Sequence, residues 1–329
     1  ATTVRTAALE TLRALESAEA SDFVRTNLNE DADLPDALWL EMMRSVRDLE
    51  IQLSPAEAEV ILDEIRRDRG QASTLAVEAL TQAAVRSRRV ERRLDPEEAL
   101  LALLADNASS EGLRSSVILA LGELASEAAV PELMSILQDE SQPNSLRYFA
   151  ADSLGRIGDP TAIPALTASL DSEIALMRAY AVSALARFGT DDAAVARVLE
   201  ALRDDFWRVR VLALEAVAEL EIQQAEPAVA FMVRSDPEVR VRTEAAQTLA
   251  ALGGAAAWEQ LERTFSDPRA PRDLRLSALE QLVRGAESGS SQAILEAALA
   301  EEGQPNSQLL PAIASRLAAT GNPVYEPLW

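Results

Sequence analysis

The chain has 329 residues, a formal net charge of −23, and a composition that is 48% hydrophobic but only 4% aromatic. It contains no Cys, no His and no Lys, so all 31 basic residues are Arg. That excludes disulfides, thiol nucleophiles, zinc sites built on Cys or His, histidine bases, lysine Schiff bases and a phosphate-gripping Walker lysine.

The apolar mass is mainly Ala, Leu and Val, which suits close helix packing, and alternating β-branched runs are absent; the expectation is an all-α chain. No stretch reaches the roughly 20 apolar residues of a membrane span. Strong acidity disfavours general nucleic-acid binding, which works by neutralising phosphates. Arg without Lys beside abundant Ala fits a coding bias combined with solubility, favoured over adaptation to a salt-rich setting. The chain begins with Ala, so the expectation is that an N-terminal segment was either removed, a cleaved secretory signal being one option, or never included. The compartment stays open, with the cytoplasm slightly favoured over a periplasmic or secreted location. No cofactor and no metal are expected.

In chain order, "VRTAALETLRAL" (4–15) comes first and matches "VRTEAAQTLAAL" (241–252) at eight of twelve positions, so Arg5 opens a helical unit. Weaker starts follow near Pro35, with Leu38 and Met42, and near Ser73, with Ala76 and Leu80. The step from Ser73 to Arg114 is 41 residues. The excess lies in "RSRRVERRLDPEEALLALL" (86–104), a basic insertion centred near 86–95.

From Arg114 onward the pattern is regular: an Arg, an apolar residue three later, another at plus seven, and often Gly at plus eleven. Arg114 leads to Val117 and Leu121, Arg147 to Ala150, Leu154 and Gly158, and Arg178 to Ala181, Leu185 and Gly189. Arg210 leads to Ala213 and Val217, Arg242 to Ala245, Leu249 and Gly253, and Arg275 to Ala278 and Leu282. The steps between these arginines are 33, 31, 32, 32 and 33 residues. Positions plus three and plus seven share one helical face and form a buried stripe.

Asp139, Asp171, Asp204, Asp236 and Asp267 stand shortly before five of the six arginines. Each unit therefore reads as helix, Gly or Pro turn, helix, Asp turn, with "GDP" (158–160) ending one helix and opening the next. About nine units and a C-terminal half unit are expected, since one pair cannot bury its apolar face without stacked neighbours. Residues 1–112 form the divergent part and 113–329 the regular part of one continuous superhelical domain.

These residues resemble HEAT repeats, in particular the short HEAT-like form of phycobilin lyase subunits. The resemblance rests on the Asp and Arg turns, the "AADSLGRIGDPTAIPALTASL" core (150–170) and the period of 31 to 33. It implies a right-handed α-solenoid, armadillo-like, in which Asp and Arg form a structural ladder between units and the second helices line a concave face. The ladder residues are Asp139, Arg147, Asp171, Arg178, Asp204, Arg210, Asp236, Arg242, Asp267 and Arg275. Iron-dependent hydroxylases with HEAT repeats need His ligands that this chain lacks. Glycosylases on HEAT-like repeats need a basic groove at odds with its charge.

Positions off the core stripe of the second helices are mostly small or polar, but Phe231, Met232 and Ile136 are bulky. They are expected to be partly open, either packing on the next unit, the favoured reading, or anchoring a partner. Phe206 and Trp207, in "DDFWRVR" (204–210), occupy an inter-unit turn and read as ridge packing, with an exposed anchor as the alternative.

Between Glu64 and Leu94, eight Arg (66, 67, 69, 86, 88, 89, 92, 93) face four acidic residues, a local charge of about +4 that leaves about −27 elsewhere. Pairing with the chain's own acidic surface is favoured. A patch for an acidic partner, phosphate or nucleic acid, centred on Arg86, Arg88, Arg89, Arg92 and Arg93, is the alternative.

No G-x-S-x-G, P-loop or dinucleotide motif is present, and no catalytic residue is assigned. The expected function is a non-enzymatic scaffold that binds another protein through its concave face or edge. A lyase-type or chaperone-like subunit acting on a protein is the first alternative, and a homo-oligomer is allowed. Finally, "GNPVYEPLW" (321–329) superimposes on "GDPTAIPAL" (158–166), with Leu310, Ile313 and Leu317 filling the preceding helix positions. The tail is expected to be the turn of a truncated unit, with Tyr325, Leu328 and Trp329 folded back as a cap.

Overall fold

The structure is a computed structural model that describes residues 2–29, 34–88, 94–106, 109–189, 191–285 and 310–328. Eighteen α-helices and no strand occur among the described residues. The chain divides into two compact units, Ala1–Ser169 and Leu170–Trp329.

The first unit holds α1 (Thr2–Ala14), α2 (Ala18–Asn29), α3 (Asp36–Asp48), α4 (Pro55–Arg66), α5 (Gln71–Ser87), α6 (Glu97–Ala105), α7 (Glu111–Glu123), α8 (Val130–Gln138), α9 (Asn144–Ile157) and α10 (Ile163–Ser169). The second holds α11 (Ala175–Ala186), α12 (Asp192–Ala201), α13 (Trp207–Glu219), α14 (Glu226–Ser235), α15 (Val239–Leu252), α16 (Ala255–Ser266), α17 (Arg272–Gly285) and α18 (Leu310–Ala318). Odd-numbered helices α1 to α17 are the first helices of successive repeats, and α18 carries the same first-helix pattern.

Within each unit the first helices stack on one another, α3 on α5, α7 on α9, α13 on α15, and α15 on α17, while second helices touch less. The stripe at plus three and plus seven explains the stacking. Val117, Leu121, Ala150, Leu154, Ala213, Val217, Ala245 and Leu249 are all fully buried. Removing a Leu from such a position costs about 2–5 kcal/mol.

Small residues bring the α7 and α9 backbones together. A Cβ placed on Gly122 would stand 2.6 Å from Ser153 Oγ and 2.8 Å from Ser153 Cα. The Ser153 hydroxyl donates to the Ile118 carbonyl at 2.9 Å. Thr248, at the same repeat position on α15, donates to the Leu214 carbonyl on α13 at 3.1 Å.

The plus-eleven position ends the first helix in left-handed backbone whatever residue stands there. Gly158, Gly189 and Gly253 have positive φ as the sequence leads one to expect, but so do Glu16, Ala125 and Glu221, with φ near 50°. At Ala125 the helix closes with Ser126 N–H donating to Leu121 O at 3.0 Å and Ala125 N–H to Gly122 O at 3.1 Å. The same paired bonds close α13 at Glu221 and Ile222. They are Schellman motifs, which satisfy the carbonyls a helix end leaves open.

Second helices start from local caps. The α4 start is a capping box, with Glu57 N–H donating to Ser54 Oγ at 3.3 Å and Ser54 N–H to Glu57 Oε2 at 2.6 Å. The Asp191 carboxylate caps α12 by accepting the N–H groups of Ala193 and Ala194. At the C-terminus a 3₁₀ turn over Pro323–Leu328 lies against α18. Tyr325 in that turn is 1% exposed, and Ile313 and Leu317 of α18 are fully buried. The cap expectation for Leu328 and Trp329 lies outside the described side chains.

Candidate functional site

The repeat arginines were expected to form one ladder, and the structure shows two kinds of turn instead. Of the three arginines that stand six or seven residues after a turn Asp, Arg178 and Arg210 reach forward to the Asp of the following repeat. Arg178 Nε and Nη2 donate to Asp204 Oδ2 and Oδ1 at 2.7 and 2.8 Å. Arg210 does the same with Asp236, both bonds at 2.8 Å. Each Asp also accepts the backbone N–H two residues on, Asp204 from Phe206 and Asp236 from Glu238. Each Arg spends Nη1 on carbonyls of its own preceding turn, as Arg210 does on Asp204 and Asp205. One guanidinium thus ties three turn groups.

Burial pushes the Asp204 carboxyl up, but the hydrogen bonds from Arg178 and from Phe206 N–H outweigh it and hold it below the usual carboxylate range. The Arg178 guanidinium is correspondingly raised, chiefly by its hydrogen bond to Asp204.

The turns Asp139–Arg147 and Asp267–Arg275 are eight residues long, and there the expectation is corrected. Their arginines turn back, Arg147 Nε to the Leu137 carbonyl at 3.0 Å and Arg275 Nε to the Phe265 carbonyl at 2.7 Å. Asp139 and Asp267 accept the N–H two residues on, from Ser141 and Arg269 at 2.9 Å, as Asp204 and Asp236 do in the shorter turns. Asp171 is exposed and pairs with Arg197 of α12 at 2.8 Å.

Of the expected contact residues, Phe231 on α14 is 60% exposed. Met232 and Ile136 are 7% and 2% exposed, so their expected openness is corrected. Both belong to an i, i+3, i+4 stripe that is buried throughout, Val229, Met232 and Val233 on α14 and Leu133, Ile136 and Leu137 on α8. Phe206 and Trp207 are half-buried, with ring centroids 6.0 Å apart. Above the Trp207 ring lie Arg208, at 5.7 Å, and Arg240 of the next repeat, at 5.1 Å. Trp207 and Val239 occupy the same repeat position, at the start of a first helix, and Val239 is exposed. The sequence reading named both rings of this edge, Phe206 and Trp207, but not the stacked guanidinium groups of Arg208 and Arg240.

Arginines of the basic segment are largely engaged. Arg67 pairs with Glu64 at 2.6 Å, Arg69 with Glu64 and Asp36 at 3.0 and 3.2 Å, and Arg66 with Asp63. Arg88 donates to the Leu124 carbonyl and lines a cleft of about 490 Å³ with Asp95 and Glu97. Arg86 is half-buried, its Nη2 buried with no hydrogen-bond partner among the described residues. Arg89, Arg92 and Arg93 lie outside the described residues. No helix among the described residues is long and apolar enough to cross a membrane.

Stacked helix pairs, a turn geometry that recurs along the chain, and a period of 31 to 33 residues are now in place. A family model described as "Spirochaete HEAT repeat protein" matches residues 1–329. The chain belongs to this HEAT repeat family. Its fold is an all-α solenoid of HEAT repeats. No curated protein matches the chain in sequence.

Solved structures similar to this HEAT repeat protein include the complex of CpcE and CpcF of phycocyanin lyase from Nostoc, 22% identical over 72% of this chain and 96% of that one, TM-score 0.42. Another is human deoxyhypusine hydroxylase in complex with glycerol, 20% identical over 88% of this chain and 97% of that one, TM-score 0.31. A third is a mutant of Kap121p, 13% identical over 87% of this chain and 36% of that one, TM-score 0.48.

Proposed function

We propose that this HEAT repeat protein is a non-catalytic scaffold that binds a partner protein through exposed side chains of its second repeat-bearing unit. The observation that carries the reading is Phe231, a large aromatic side chain left 60% exposed on a second helix whose other outward positions are small or polar. An exposed aromatic ring held on a rigid helix is the kind of group that anchors protein interfaces, because it buries much area at little entropic cost. The Trp207 edge, with Arg208 and Arg240 on its ring, offers a second anchor of amphipathic character. Recognition by such a solenoid sums modest contacts over an extended surface. The alternative of phosphate or nucleic-acid binding between Arg66 and Arg93 is less well supported, since Arg66, Arg67 and Arg69 already pair with the chain's own carboxylates.

The test is affinity capture from the source organism with wild type, Phe231→Ala, Trp207→Ala and Met232→Ala. Phe231→Ala and Trp207→Ala are expected to fold normally and lose the partner that the wild type retains. Met232→Ala is expected to lower thermal stability instead. A partner retained equally by Phe231→Ala and Trp207→Ala would sink the assignment of this surface.

A further inference from the structure

The environment of Arg242 differs from that of the two ladder arginines before it. Arg178 and Arg210 each find a carboxylate 26 residues further along. The residue 26 after Arg242 is Pro268, because the following turn is one of the long ones. Asp267 bonds within its own turn and is exposed.

In the other long turn a side chain reaches the corresponding guanidinium, that of Arg114, although its Nε too is buried with no hydrogen-bond partner among the described residues. There Gln142 accepts from Arg114 Nη1 at 3.1 Å and donates to Asp139 at 3.2 Å. The two turns align through Pro143 and Pro271, which places Ala270 where Gln142 stands. Arg242 therefore meets neither an Asp nor a Gln. Its Nη1 donates to the Asp236 carbonyl at 3.0 Å, while its Nε is buried with no hydrogen-bond partner among the described residues.

A cleft of about 370 Å³ opens at this place, and Ala270 is part of its wall. Arg234, Arg242, Arg263 and Arg269 line it, against a single lining carboxylate, Asp267. Arg234 is steadied by Gln260, to which its Nη1 donates at 2.8 Å, and Arg263 pairs with the exposed Glu259. Four arginines around one concavity are a marked local excess in a chain of net charge −23.

We propose that this cleft is a binding site for a carboxylate-bearing ligand. Arg242 Nε is the inner donor, and Arg234, Arg263 and Arg269 surround the mouth. The ligand carboxylate takes the role that Asp204 and Asp236 play for Arg178 and Arg210, a planar acceptor matched to a guanidinium fork. The volume suits a compact polycarboxylate or one or two acidic side chains of a peptide. The site rests on the turn geometry and not on the partner surface at Phe231, so either can fail alone.

The test is isothermal titration of the full chain at low ionic strength with two probes, citrate and an N-acetylated tetra-aspartate amide. At least one probe is expected to bind, with affinity that falls as salt rises. Tighter binding of citrate assigns the site to a free polycarboxylate, and tighter binding of the peptide assigns it to an acidic segment of a protein. The exposed Arg269→Ala substitution is expected to weaken binding about tenfold without loss of helicity. Ala270→Gln, which installs the side chain present in the other long turn, is expected to weaken binding as strongly and to raise the unfolding temperature. Absence of binding by both probes, or binding that neither substitution weakens, would overturn the site.

Discussion

Arg210 and Asp236, 26 residues apart, are joined by two parallel hydrogen bonds of 2.8 Å and are 7% and 8% exposed. The pair welds the turn before α13 to the turn before α15, and both charges are desolvated. Breaking such a pair by removing one partner leaves a buried, uncompensated charge, at a cost of about 3–5 kcal/mol. Asp236→Ala is expected to show a loss of that order in urea unfolding. The double substitution Arg210→Met with Asp236→Leu should recover most of it, because replacing both charges removes the desolvation penalty. A double-mutant cycle gives the coupling energy, and additive losses would mean the pair does not act as a unit.

Asp204 makes the corresponding pair titratable. Its native carboxyl lies below the usual range because the bonds from Arg178 and Phe206 N–H outweigh burial. The sign follows directly: a group depressed in the folded state contributes stability that is fully present above its unfolded value, about 3.9, and lost as pH falls through the native value. Stability should therefore hold steady above about pH 5 and decline below about pH 4. Asp204→Asn is expected to cost about 1.5–3 kcal/mol at pH 7 and to flatten the acid decline, as followed by circular dichroism. An unchanged acid profile would show that other carboxylates dominate.

Glu244 should behave in the opposite sense. Burial, and then the nearby Glu215, raise its carboxyl above the usual value. Such a group makes the folded state bind its proton more tightly, so its charged form weighs against folding as pH rises through the raised native value. Glu244→Gln is expected to raise the unfolding temperature at pH 7 and to leave it nearly unchanged at pH 4. Equal effects at both pH values would point to packing rather than charge.

The period and the first-helix stripe were legible because they are local: an Arg, two apolar residues on one face and a turn Asp recur within a dozen positions of each other. The direction of the ladder was not. The Asp before each Arg and the Asp of the next repeat are equally available to a sequence reader, and only the fold shows that Arg178 reaches Asp204. Packing was the favoured reading at Met232 and Ile136, and only their expected openness failed, because each completes an i, i+3, i+4 stripe with Val229 and Val233 or with Leu133 and Leu137. The left-handed helix ends at Glu16, Ala125 and Glu221 carry no signature in residue type, although their register with Gly158 and Gly253 could have revealed them. The Arg242 cleft was visible in principle as the place where the 26-residue offset meets Pro268.

That register has an energetic consequence. A non-Gly residue in left-handed backbone costs about 1–2 kcal/mol, offset by the larger entropy that Gly loses on folding. Glu221, with φ near 50°, is therefore a site where Glu221→Gly should stabilise by about 0.5–1 kcal/mol. Gly158→Ala, at φ 75° with open space around a Cβ, should destabilise by about 1 kcal/mol through strain alone. Opposite signs at two copies of one repeat position would be seen in thermal unfolding; the same sign would refute the shared geometry.

Gly122 presents the contrary case, where space rather than φ is limiting. An added Cβ would meet Ser153 Oγ at 2.6 Å, Ser153 Cβ at 2.7 Å and Ser153 Cα at 2.8 Å. The last of these is backbone, so no side-chain rotation relieves it, and α9 would have to move away from α7. Overpacking of this kind costs about 1–3 kcal/mol or more, and the shift would also stretch the Ser153 bond to the Ile118 carbonyl. Gly122→Ala is expected to lose at least that much in urea unfolding. Adding Ser153→Ala should not restore it, because the β-carbon and the α9 backbone at residue 153 would still stand in the way. Full rescue by Ser153→Ala would show that the hydroxyl alone sets the approach of the two helices.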